Sequence, residues 1–143
     1  MTHAEQTAKA ETFAALHRAD EALVLPNAWD GISARVLEAA GFPAVATASA
    51  SISWTQGRRD GEGLTREQAL AGVRLVAGSV DVPVTADIER GFGDDPEAVA
   101  ATIAEVIAAG AVGINIEDSV DGGAQRDIAE MQARIRGARQ GAG

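Results

Sequence analysis

Four short apolar runs, each followed by a stretch of helical periodicity, limit what this 143-residue chain can become. The runs cover residues 23–27, 44–48, 82–89 and 112–117. Helix signals stand between them. Asp30 is a candidate N-cap and Gly41 a candidate C′ residue for one helix, whose apolar face would be Ile32, Val36 and Leu37. Thr65-Arg66-Glu67-Gln68 reads as a capping box, with Leu70, Val73 and Val76 as the buried stripe behind it. Asp95 and Pro96 open a third helix, with Val99, Ile103, Val106 and Ile107 at core spacing and Gly110 at its end. A leading helix over residues 3–19 uses Phe13 and Leu16 as apolar contacts, and a last helix spans residues 128–139. Residues 49–64 read as a long polar loop of the kind that tends to carry function.

A helix followed by four β–α units predicts a parallel sheet with right-handed crossovers. Two architectures fit: an open doubly wound sheet, or part of a (β/α)8 barrel of TIM type. Polar residues at the ends of several runs favour the barrel: Asn27, Asp87, Glu89, Asn115 and Glu117. The C-terminal rim of the strands is where barrel sites form. The turn after the first run, Asn27-Ala28-Trp29-Asp30, lacks the glycines of a dinucleotide-binding turn. The expectation is therefore one partial barrel domain over residues 1–143. It divides into an N-terminal helix (1–20), four β–α units (21–139) and a Gly-rich tail (140–143).

The third run ends Val84-Thr85-Ala86-Asp87-Ile88-Glu89, and the fourth reads Val112-Gly113-Ile114-Asn115-Ile116-Glu117-Asp118. Side chains along a strand alternate between faces, so Asp87 and Glu89 share one face, and Asn115 and Glu117 share one. Buried carboxylates of like sign are costly unless neutralised. Either these ends reach water, or a cation sits among them. Carboxylates on adjacent strand ends suit Mg²⁺ or Mn²⁺, which prefer oxygen ligands and keep bound water.

Composition narrows the rest. Aromatic residues are 3% of the chain, so Ala, Val, Ile and Leu must build the core. The net charge of −9 argues against nucleic acid or an anionic membrane as partner. There is no cysteine, which excludes disulfides, zinc–thiolate sites and a cysteine nucleophile. No stretch resembles a signal peptide or a membrane span, and the expected setting is the cytoplasm.

Several segments together resemble the isocitrate lyase/phosphoenolpyruvate mutase superfamily. Residues 25–35 (LPNAWDGISAR) resemble its opening strand and helix, and Ala40-Gly41-Phe42-Pro43 its next turn. Gly57-Arg58-Arg59-Asp60-Gly61-Glu62 resembles a loop carrying an active-site aspartate. Asp87-Ile88-Glu89-Arg90-Gly91-Phe92-Gly93 and Asn115-Ile116-Glu117-Asp118 resemble its acidic strand ends. The resemblance covers roughly residues 20–139. It implies a (β/α)8 barrel that binds Mg²⁺ and a small 2-oxo acid or its enolate, and that makes or breaks a C–C or C–P bond. It further implies that Asp87 and Glu89 hold the metal, directly or through water, with Glu117 nearby. Asp60 would lie at the substrate, with Asp60 and Glu117 as the catalytic candidates. Thr47, Ala48 and Ser49 would line the oxo-acid pocket.

Three features depart from that family pattern. Ser119-Val120-Asp121-Gly122-Gly123-Ala124 stands where a Lys-Lys-Cys-Gly-type gating segment is common, so the thiol acid/base of methylisocitrate- or isocitrate-type cleavage is missing. Ala48 stands where a serine is frequent, with Ser49 beside it. The chain also stops after four β–α units, whereas a full barrel takes about 250 residues, and the missing half would bring a substrate-binding arginine. A second expectation follows: a catalytically silent half-barrel that self-associates through open sheet edges and an apolar inner face, as a homo-oligomer. The remaining conspicuous residues have ordinary explanations. Trp29 and Trp54 read as packing groups and His3 and His17 as surface residues. Gly91-Phe92-Gly93 reads as a tight turn, and Arg134, Arg136 and Arg139 as complements to a helix C-terminus.

Overall fold

In a computed structural model, residues 1–120 and 123–143 are described. Four parallel strands form one sheet: β1 (Asn27–Ala28), β2 (Val45–Thr47), β3 (Val84–Asp87) and β4 (Gly113–Asn115). Their spatial order is β1-β2-β3-β4. Every neighbour is the next strand in sequence, so the sheet lacks the reversal that defines a doubly wound order. With crossovers of one hand, such an order places the connecting helices on one face. Those connections are α2 (Gly31–Ala39), α3 (Ser49–Thr55) with α4 (Arg66–Ala77), and α5 (Pro96–Ala108). The chain begins with α1 (His3–Leu16) and closes with α6 (Ile128–Ala142).

Capping explains where the helices start. Asp30 accepts from the Ser33 amide at 2.6 Å, and the Ser33 hydroxyl caps back on the Asp30 amide at 3.1 Å. Thr65 and Gln68 form the same reciprocal pair, and Asp95 accepts from the Ala98 amide ahead of Pro96. Each such cap contributes about 1 kcal/mol. The strands are shorter than their apolar runs because ladder pairing stops where neighbours end. Register pairs Thr85 with Gly113, Ala86 with Ile114 and Asp87 with Asn115.

The core lies between sheet and helices. Ala86 and Ile88 pack with Leu70, Val73, Val99, Ile103 and Val106, and Ile114 and Ile116 join them. A second cluster gathers Ala28, Ala34, Val45, Val76 and Val84. Each fully buried Val or Ile contributes about 1.5–3 kcal/mol. The residues alternating with these, Asn27, Thr85, Asp87, Gly113 and Asn115, take the opposite face of the sheet. That face is therefore small and polar rather than apolar, which corrects the expectation of an apolar inner face. α1 reaches the segments that lead into β3 and β4: Lys9 donates to the Val80 carbonyl at 3.2 Å, and Gln6 to the carbonyls of Ile107 and Ala111 at 2.7 and 3.1 Å. Phe13 presses on Gly113 so closely that a Cβ there would stand 2.6 Å from the ring.

Several expectations change. The first strand forms at residues 27–28 rather than 23–27. The segment after β2 is not wholly loop, since Ser49–Thr55 is helical. The tail at residues 140–143 largely continues α6, which runs to Ala142. Ile32 and Val36 are 76% and 61% exposed, and the face of α2 that packs uses Ala34 and Leu37 instead. Trp29 and Trp54 are exposed rather than packed. An apolar cavity of about 590 Å³ runs along the free edge of β4, lined by Phe13, Ile103, Ile107, Val112, Ile114 and Ile135 among others. Among the described residues, no helix is long and apolar enough to cross a membrane.

Candidate active site

The C-terminal ends of β2, β3 and β4 bring polar groups together around Asp87. The Asp87 amide donates to Thr47 Oγ1 at 2.9 Å, which ties β3 to β2. One carboxylate oxygen of Asp87 accepts from both the amide and the hydroxyl of Ser49. The other accepts from Asn115 Nδ2 at 3.0 Å and from the Glu89 amide at 3.1 Å. Four donors from three segments thus fix one carboxylate at the sheet rim, where hydrogen bonds to an ionised group are strong.

Glu89 lies just past the strand. Its φ of +50° is left-handed, and its side chain is nearly lost to solvent at 2% exposure. Burial pushes its carboxyl above the ordinary carboxylate range. The amide of Glu62 donates to that carboxylate and pulls the other way, while Asp60, Glu62 and Asp87 raise it further by charge. The turn that follows carries two more positive φ values, at Gly91 (+96°) and Phe92 (+52°). Left-handed backbone at non-glycine residues persists where surrounding bonds over-determine it, and it clusters at functional sites. Here Gly91 N donates to Ile88 O at 2.8 Å, and Phe92 N to Glu62 Oε1 at 2.9 Å.

Arg134 closes the same turn from α6. It is fully buried, with one Nη donating to the Asp94 carbonyl at 3.0 Å and the other to the Arg90 carbonyl. Burial, with Arg126 nearby, depresses its ordinarily very high pKa. It sits mid-helix, so helix-dipole complementarity does not account for it; Arg139 holds the last-turn position. A polar cavity of about 360 Å³ opens beside the turn, between Glu62, Arg90, Gly93, Asp94, Val120 and Arg126.

The sequence-derived site residues divide as follows. Thr47, Ser49, Asp87 and Glu89 meet directly. Ala48 is half-buried and caps α3, and its amide is bonded to the Ala28 carbonyl at 2.9 Å. Asp60 is exposed in its loop and acts on Glu89 through charge. Glu117 is joined to Glu89 through backbone, its amide donating to the Glu89 carbonyl at 2.7 Å. Its exposed carboxylate accepts instead from Ser119 Oγ at 2.7 Å. Among the described residues, no group of three or more acidic or histidine side chains gathers closely enough to enclose an ion. Asp121 and Gly122, in the segment read against the gating sequence, lie outside the described residues. Sequence reasoning missed Glu62, Asn115 as the partner of Asp87, and Arg134.

Comparison places this chain in a lineage. A family profile for phosphoenolpyruvate phosphomutase matches residues 13–143. The chain belongs to that family, within the phosphoenolpyruvate mutase/isocitrate lyase superfamily. Its relatives include an uncharacterized protein of Mycobacterium tuberculosis, 41% identical over 76% of this chain and 40% of that protein. Another is 2-methylisocitrate lyase of Bacillus subtilis, 28% identical over 91% of this chain and 46% of the relative. Among solved structures, a Burkholderia cenocepacia J2315 protein provisionally named a phosphonomutase superposes with a TM-score of 0.91 at 43% identity. It covers 96% of this chain and 54% of its own. The phosphoenolpyruvate phosphomutase of Streptomyces platensis subsp. rosaceus gives a TM-score of 0.85 at 28% identity, over 92% of this chain and 49% of its own. The chain thus spans about half the length of the proteins it matches.

Proposed function

We propose that this chain forms the first four β–α units of a (β/α)8 barrel. Its rim holds Mg²⁺, or Mn²⁺, for lyase or mutase chemistry on a small 2-oxo acid or phosphoenolpyruvate-like substrate in the cytoplasm. The sequential strand order supports a barrel segment. The observation that carries the site is the buried Glu89 carboxylate, set among Asp60, Glu62 and Asp87. A compensating cation suits such a cluster.

The donor set fits the ion. Every candidate is a hard oxygen ligand, and Mg²⁺ binds through one or two carboxylates while keeping several waters. A rim without an enclosing acidic cage is compatible with that habit. Asp87 and Glu89 would hold the ion, with Glu117 on the adjoining strand end. When bound, the ion supplies Lewis-acid stabilisation to a developing enolate. Asn115 and Ser49 hold the Asp87 carboxylate in place, and the segment Thr47-Ala48-Ser49, whose polar groups are bonded to Asp87 and Ala28, would form the wall of the substrate pocket. Asp60, exposed at the loop, is placed to orient the substrate or exchange a proton. Calorimetric titration with Mg²⁺ tests this reading: wild type binds and Glu89→Ala binds more weakly. Equal affinity in the two removes the metal role. Turnover of oxaloacetate, phosphoenolpyruvate or 2-methylisocitrate then identifies the substrate.

A second reading is favoured by the sheet edges. The cavity along β4 is apolar, and exposed Ile32 and Val36 lie on α2, which packs on edge strand β1. Two copies pairing β4 to β1 twice would close an eight-stranded ring, as a homo-oligomer that need not be catalytic. Sedimentation equilibrium decides: a dimer supports pairing and a monomer at all concentrations excludes it.

A further inference from the structure

We propose that Glu62 is a positioning residue: by clasping the turn after β3 it sets where the buried Glu89 carboxylate sits, and with it the cation affinity. The inference rests on the metal reading above. Its basis is a reciprocal pair of contacts between two loops. The Glu62 amide donates to the Glu89 carboxylate, and the Glu62 carboxylate accepts from the Phe92 amide at 2.9 Å. Arg90 adds a second fastening, donating to the Gly61 carbonyl at 3.1 Å and lying 3.5 Å from Glu62 Oε2.

All three residues in these two contacts share an unusual backbone. Glu62, Glu89 and Phe92 have φ of +60°, +50° and +52°. L residues disfavour this region, so each needs a local bond to stay there. The Glu62 amide reaches Glu89 from a left-handed residue, in a loop held down by its own carboxylate and by the bond from Arg90 to the Gly61 carbonyl. Other groups brace the backbone of the turn independently: Arg134 takes the carbonyls of Arg90 and Asp94, and Asp87 takes the Glu89 amide. Loss of the Glu62 carboxylate therefore leaves the turn closed, frees the Phe92 amide, and removes one of the ties that hold the 60–62 loop and its donor to Glu89. Glu62 is also about a quarter exposed, so the core does not depend on its side chain. A group that supports a metal ligand without binding the metal commonly controls affinity by about 10- to 100-fold.

The test uses the full chain as wild type, Glu62→Ala, Glu62→Gln and Glu89→Ala. Mg²⁺ affinity is measured by calorimetry, and amide hydrogen exchange at residues 62 and 92 is measured by NMR without metal. Glu62→Ala is expected to weaken Mg²⁺ binding about tenfold or more and to speed exchange at both amides, with the global melt nearly unchanged. Glu62→Gln keeps an acceptor for Phe92 N and restores both properties to near wild type. Unchanged affinity in Glu62→Ala, continued protection of the residue-62 amide, or a Gln variant no better than Ala overturns the proposal. If Glu89→Ala binds as wild type does, the metal reading fails instead, and the exchange data still decide the clasp.

Discussion

Asn115 and Asp87 are register partners on adjacent strands, and their side chains bond across the rim at 3.0 Å. An uncharged donor on β4 thereby holds a charged acceptor on β3. The pairing exists because strand alternation places both residues on the face away from the helices.

Asn115→Ala is expected to lower stability by about 1 kcal/mol, below the roughly 1.5–3 kcal/mol of a bond to an ionised group, because Asn115 is exposed. Asn115→Asp sets a second carboxylate against the first and is expected to cost more in the absence of divalent cation. Urea denaturation of the three proteins checks the order.

Glu89 makes stability depend on pH in an uncommon direction. Burial first, and neighbouring charge second, raise its carboxyl above the value of the unfolded chain. The folded state then binds the proton more tightly. Its contribution is fully present below the unfolded pKa and is lost as pH rises through the raised folded value. Glu89→Gln is expected to melt higher than wild type at about pH 7 without divalent cation, with the gap closing towards about pH 4. Glu5 and Asp30, whose caps depress their carboxyls, act in the opposite sense but cancel between the two proteins. Thermal melts across that range provide the check.

What was legible in the sequence followed from local rules. The caps at Asp30, Thr65 and Asp95, the stripes of α4 and α5, and the alternation that separates Asp87 from Ile88 all depend on near neighbours. The superfamily followed from several motifs in order. What was not legible depended on distant chain. Ile32 and Val36 have the spacing of a core face, yet no described element covers them. Glu62 looked like one more polar residue of a Gly-rich loop, because its partners lie 27 and 30 residues away. Arg134 looked like a helix-end cation because its carbonyl acceptors are 40 and 44 residues upstream. A positive φ at a glutamate has no sequence signature at all.

Arg134→Met removes both bonds that the buried guanidinium makes to the turn, at the carbonyls of half-buried Arg90 and exposed Asp94. A loss of about 2–3 kcal/mol is expected, with Arg134→Lys intermediate. Chemical denaturation measures it.

Gly91→Ala tests the turn from within. Its φ is +96°, and a Cβ would stand 2.9 Å from Ile116 and 3.3 Å from Val99. Backbone strain and crowding together are expected to cost about 2 kcal/mol or more. The same substitution at Gly123, also left-handed but with open space around it, is expected to cost less.

The central claim is that Asp87 and Glu89 hold a divalent ion at the rim. Crystals soaked in Mn²⁺ test it most directly through anomalous scattering. The account predicts a peak bonded to Asp87, or joined to it through water, that disappears in Asp87→Ala. Crystals that diffract well yet show no peak at Asp87, or show one that persists in that variant, would contradict it.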